Sequence, residues 1–126
     1  MKRILKLARF SRWLKKVGLS DTDLCNAVDE MASGLIDADL GSNIYKKRIT
    51  LPGRGKRGST RTLLASNLGD RWFFMFGLEK NDRENFTPAE MDAVRKLARE
   101  YLAMTDETLD SAVRQGIFVE VHDDRA

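Results

Sequence analysis

One cysteine, one histidine and two prolines among 126 residues remove several chemistries at the outset. Cys25 has no partner for an internal disulfide and cannot build a cysteine zinc site; beside Leu24 on an expected helix it reads as core rather than nucleophile. His122 lies in a polar stretch, so neither a paired-histidine ribonuclease mechanism nor a Ser/His/Asp triad has a credible geometry. No Asp or Glu pair falls near the basic strands, and neither a metal nor any other cofactor is expected. No apolar run approaches the ~18 residues of a membrane span. The N-terminal residues alternate basic and apolar types without the features of a secretory signal, so a cytoplasmic protein is expected.

The absence that matters most is local. From Leu40 to Gly69 there is no acidic residue, while Lys46, Lys47, Arg48, Arg54, Lys56, Arg57 and Arg61 give the segment a charge of +7. Residues 1–20 add seven cations and no acid, whereas the rest of the chain sets eight cations against nineteen acids. The net charge of +3 thus conceals two basic segments in an acidic frame. A solvated surface would intersperse both signs. Segregated cations, several of them guanidinium forks that match phosphate oxygens, point to RNA or DNA.

With 42% hydrophobic residues the chain can form one domain with a real core. Arg3 to Leu7 reads as a strand, and Phe10, Trp13, Leu14 and Val17 follow at helical spacing up to Gly18. Ser20 caps a second helix carrying Leu24, Ala27, Val28, Met31 and Leu35. From Ile44 the period becomes two: Tyr45, Lys47, Ile49 and Leu51 point one way, Lys46, Arg48 and Thr50 the other. A glycine-rich loop over residues 52–59 leads to a strand over 60–66. After a turn at 67–70, Trp72, Phe73, Phe74, Met75 and Phe76 are apolar on both faces, as in a central strand covered on two sides. Thr87, Pro88 and Glu90 open a helix with Met91, Val94, Leu97, Ala98 and Tyr101 inward. A helix over 106–114 and a strand over 117–121 complete the order β-α-α-β-β-β-α-α-β. This is an α+β domain, its antiparallel sheet covered on one side by helices.

Residues 53–58, GRGKRG, match the spacing GxGxxG, but a β-patterned segment follows where a dinucleotide site needs a helix N-terminus. No GK[ST] occurs, which excludes a Walker loop. If the chain does chemistry, lysine and arginine must carry it. Cleavage of RNA by its own 2′-OH suits them: a lysine crowded by cations can act as base, and arginines stabilise charge gathering on the phosphate. Lys46 and Arg48 share a strand face and Arg61 enters from the next strand. A binding surface without catalysis would use the same residues.

YKKRI (45–49), LPGRGKRGSTRTLLA (51–65) and RWFFMFGLEKNDREN (71–85) resemble the RelE toxin family, in its HigB-like branch, within the RelE/ParE superfamily. The resemblance covers residues 3–103 and leaves 104–126 as an acidic extension that continues the fold or meets the antitoxin. It implies a toxin of a bacterial type II toxin–antitoxin pair, cutting mRNA on the ribosome without a metal and neutralised by an antitoxin of helix-turn-helix type. By position, Lys46, Arg48 and Arg61 look like the family's catalytic basic residues, and Lys80 and Arg83 like those after the last core strand. Lys47, Arg54, Lys56 and Arg57 would add RNA contacts. Phe86 stands near the family's base-stacking tyrosine, where it keeps a ring and loses the hydroxyl. Two other readings stay open: a ParE-like toxin acting on DNA gyrase, and a nucleic-acid-binding module without toxicity.

Overall fold

The computed structural model describes residues 2–51, 58–79 and 86–125 of the chain. Strand β1 (Arg3–Leu7) runs directly into helix α1 (Ala8–Val17), which buries Phe10 and Leu14 and ends at Gly18. That glycine has φ 85°, the left-handed conformation that a residue with a Cβ adopts only under strain. Helix α2 (Asp21–Ala32) opens on a reciprocal capping box: the Asp23 N–H donates to Ser20 Oγ, and the Ser20 N–H donates to the Asp23 carboxylate. The chain continues through β2 (Ala38–Asp39), β3 (Ile44–Thr50), β4 (Ser59–Ser66), β5 (Arg71–Glu79), α3 (Pro88–Leu102), α4 (Asp106–Arg114) and β6 (Phe118–Val121). Thr87 and Glu90 make a second capping box at the start of α3, with Pro88 in its first turn.

The α+β class expected from the sequence is the one observed; the short strand β2 adds to the expected element order, and two details of the arrangement are corrected. The sheet has the order β2-β3-β4-β5-β1-β6 and is mixed rather than antiparallel, because β1 lies parallel to β5. Strand β1 leaves the sheet through the α1–α2 pair instead of a tight turn, so no hairpin forces it to oppose its neighbour. Helices also cover both faces of the sheet, not one. Ile4, Tyr45, Ile49, Leu64, Trp72 and Phe74 pack with residues of α1 and α2, while Leu5, Ile44, Leu63, Phe73 and Met75 pack with residues of α3 and α4. The doubly apolar run of β5 requires this second layer.

Two features shape the end of β5. Leu63 opposes Phe76 while Leu64 opposes Phe74, so Met75 is an extra residue in the ladder and forms a bulge. Beyond it, Gly77 lies under the Trp13 ring, so closely that a Cβ there would sit 2.3 Å from a ring carbon. The segment expected as an extension is integral to the core. Strand β6 pairs antiparallel with β1, and the Phe118 ring lies 4.8 Å from that of Tyr101 and 5.4 Å from that of Phe73.

Candidate nucleic-acid interface

The TRT sequence at the start of β4 is what sets the geometry of the basic face. Thr60 and Thr62 turn inward on the α1–α2 side, where their buried hydroxyls donate to the Ile49 and Lys47 carbonyls at 2.9 and 2.8 Å. These bonds hold β4 in register against β3. Arg61, between the two threonines, therefore faces the α3 side, directly opposite Arg48, and Lys46 lies two residues along on the same face opposite Leu63. The structure brings Lys46, Arg48 and Arg61 onto one surface.

Like charges directly opposite in a ladder destabilise a sheet. Arg61 adds a second cost, since its Nη1 is buried and has no hydrogen-bond partner among the described residues. An anion between the two guanidiniums would offset the repulsion, since this group suits bidentate contact with phosphate oxygens. A residue the sequence reading overlooked supports β3 here. Strand β2 ends its pairing opposite Lys46 and Tyr45, and the Asp37 carboxylate takes over at the next position, accepting the Arg48 N–H at 2.6 Å. Its signal, a lone acid before a short apolar-acid pair, was too local to separate from a turn.

Lys46 also lines a cavity of about 300 Å³ together with Leu40, Phe86, Met91 and Arg95. Arg95, on α3, is a second residue that sequence reasoning missed, because its helix balances three acids with three cations and only packing reveals which strand it approaches.

Two residues expected to contact RNA lie apart from the exposed face. Lys47 is buried on the opposite side of the sheet, where its Nζ sits 3.0 Å from Glu30 and donates to the Leu35 carbonyl at 3.2 Å. It fastens β3 to the end of α2 and cannot reach a strand bound on the α3 face. Phe86 is a core residue, 9% exposed, with its ring 6.4 Å from Phe76. It lines the cavity beside Lys46. Arg54, Lys56, Arg57, Lys80 and Arg83 lie outside the described residues.

Part of the N-terminal basic segment is committed to structure. Lys6, 4% exposed, pairs with Asp21 at 2.7 Å. Arg3 donates two hydrogen bonds to Glu120, at 2.8 and 2.9 Å, and pairs with Asp110 at 2.9 Å. Arg9 lies 5.2 Å above the Phe76 ring. The cations are thus divided: Arg3, Lys6 and Arg9 are engaged within the fold, whereas Arg12, Lys15 and Lys16 of α1 are exposed, as is Arg48 on the β3–β4 face. Among the described residues no group of three or more His, Cys, Asp or Glu is placed to hold a metal ion, and no helix is long and apolar enough to cross a membrane.

The model of one family, described as RelE toxin of RelE / RelB toxin-antitoxin system, matches residues 2–121. The match runs past residue 103 and takes in α4 and β6, in keeping with their place in the core. Comparison with curated proteins and with solved structures gave no match.

Proposed function

From the premise that this chain belongs to the RelE toxin family, the toxin half of toxin–antitoxin pairs, we propose that it is an endoribonuclease that inhibits translation by cutting mRNA on the ribosome, with lysine and arginine carrying the chemistry. The reading rests above all on the Arg48–Arg61 pair, two cations at one ladder position that have no carboxylate partner among the described residues. In the proposed reaction the 2′-oxygen attacks the adjacent phosphorus and the bond to the 5′-oxygen breaks, leaving a 2′,3′-cyclic phosphate. Arg48 and Arg61 bind the phosphate and stabilise the charge it gains in the transition state. Lys46 is the amine on that face and is assigned one proton transfer, taking the 2′-OH proton or supplying one to the 5′-oxygen, with water making the other so that the leaving group departs as a 5′-hydroxyl. Family membership implies an antitoxin partner; that it is a helix-turn-helix protein belongs to this proposal.

Inducing the protein in growing cells and mapping mRNA 5′ ends tests the function. New ends within translated frames, lost with Arg61→Ala, are the expected result. Growth arrest that persists in a folded Arg61→Ala protein, accompanied by DNA breaks, would move the target to gyrase. Absence of any arrest would leave a nucleic-acid-binding module.

A further inference from the structure

The basic face does not end at Lys46. The cavity that Lys46 shares with Arg95 adjoins a second one, of about 390 Å³, which Arg95 lines together with Arg99, Ser42 and Asn43. Arg48 to Lys46 is a two-residue step along one strand face, about 7 Å. Arg95 to Arg99 is one helical turn, about 6 Å along α3. Cations therefore recur at intervals comparable with the spacing of successive phosphates in an extended single strand.

The far wall is polar and rigid. Gly41 to Ile44 form a tight turn in which Ser42 and Asn43 take φ 55° and 64° and the Ile44 N–H donates to the Gly41 carbonyl. Both central residues are left-handed, the mark of a type I′ hairpin turn. The Ser66 N–H donates to the Asn43 carbonyl at 2.9 Å, which pins the turn to β4. The Ser42 hydroxyl and Asn43 amide thus stand at a fixed wall opposite the two arginines. Arg95 pairs with Asp92 at 3.0 Å, an exposed contact that a phosphate can replace, and Arg99 has no ion-pair partner among the described residues.

We infer that Arg95 and Arg99 of α3, facing the 41–44 turn, continue the binding groove and hold the phosphates of single-stranded RNA on one side of the reactive phosphate. This rests on the nuclease reading and extends it, because it assigns α3 the task of positioning the strand. Contacts of this kind fix register without reading bases.

The test compares a dodecameric oligouridylate with a uridine trinucleotide, the latter long enough to fill the Arg48–Arg61 region only. With Arg95→Gln/Arg99→Gln, dodecamer binding should weaken about tenfold and the slope of log K against log salt should flatten by about 1.4, two contacts at about 0.7 each for a single strand. Trinucleotide binding should not change. Arg61→Gln should weaken both. If Arg61→Gln weakens both oligonucleotides while the double variant keeps the wild-type dodecamer affinity and slope, the α3 inference is overturned and the nuclease reading stands. If the wild-type protein binds neither oligonucleotide, the α3 inference is overturned, while the nuclease reading, which places cleavage on the ribosome, is decided by the mapped mRNA ends. If the double variant loses affinity for a polyglutamate peptide but not for RNA, the face receives an acidic protein segment and the inference also fails.

Discussion

Arg48 and Arg61 stand directly opposite each other across the β3–β4 ladder, and neither guanidinium has a carboxylate partner among the described residues. The threonine bonds on the other face of the sheet hold the two strands in the register that sets these charges opposite each other.

Replacing the exposed Arg48 by threonine should therefore raise stability, by about 0.2–1 kcal/mol, as the cross-strand repulsion disappears and a β-branched residue enters the strand. RNA cleavage should fall at least about a hundredfold, the scale of losing a donor to the charged transition state. Urea denaturation beside a ribosomal cleavage assay checks both. Loss of stability and activity together would mark Arg48 as a structural residue.

Neighbouring lysines should behave oppositely. Lys46→Met should weaken RNA binding and flatten its salt dependence, whereas Lys47→Met should leave both as in the wild type. The partner of Lys47, Glu30, is about half exposed, so losing that pair should cost about 1 kcal/mol or less. Binding isotherms at several salt concentrations separate the two variants, and equal losses would contradict the assignment of opposite faces.

Gly77→Ala places a methyl group 2.3–2.5 Å from three atoms of the Trp13 ring. Overpacking of this kind should cost about 1–3 kcal/mol. In a double-mutant cycle Trp13→Ala should absorb most of the penalty, giving a coupling on the order of 1 kcal/mol or more between the two positions. Additive losses would show that the close approach does not constrain β5.

Arg3 joins β1 to both parts of the C-terminal segment, through Asp110 on α4 and Glu120 on β6. Arg3→Ala should destabilise the protein by on the order of 2 kcal/mol, since it leaves a partly buried carboxylate without its bidentate partner. Amide exchange in α4 and β6 should speed up before that in β4 and β5. Uniform acceleration would indicate that the segment does not open separately.

At the end of β6, Arg125 donates to Asp123, and this bond is the main reason the Asp123 carboxyl is lowered from 3.8 to about 2. The same arginine reaches Asp29 and Asn26 on α2. Because the folded value is depressed, the contribution of this clip is complete above the unfolded value near 3.8 and fades as pH falls toward 2. NMR titration of the Asp123 carboxyl should find a midpoint near 2, returning toward 3.8 in Arg125→Ala. A midpoint near 3.8 in the wild type would contradict the clip.

Features that depend on a few neighbouring residues are legible in the sequence alone. Ser20 with Asp23, Thr87 with Glu90, Pro88 and Gly18 mark helix ends through contacts spanning three or four positions, and the alternation along residues 44–51 separates Lys46 and Arg48 from Lys47. Charge segregation and the motifs over residues 45–85 point to the family whose model matches residues 2–121. What alternation cannot say is which face a helix will cover. That Lys47 ends beneath α2 beside Glu30, that Phe86 is buried against Phe76, and that Arg95 of α3 lines the same cavity as Lys46 of β3 all depend on packing between residues far apart in the chain. The same holds for the parallel β1–β5 pairing and the bulge at Met75, which follow from the closure of the whole sheet. Local patterns set which side chains share a face because backbone geometry is periodic; only tertiary packing decides which of those faces remains open to a partner.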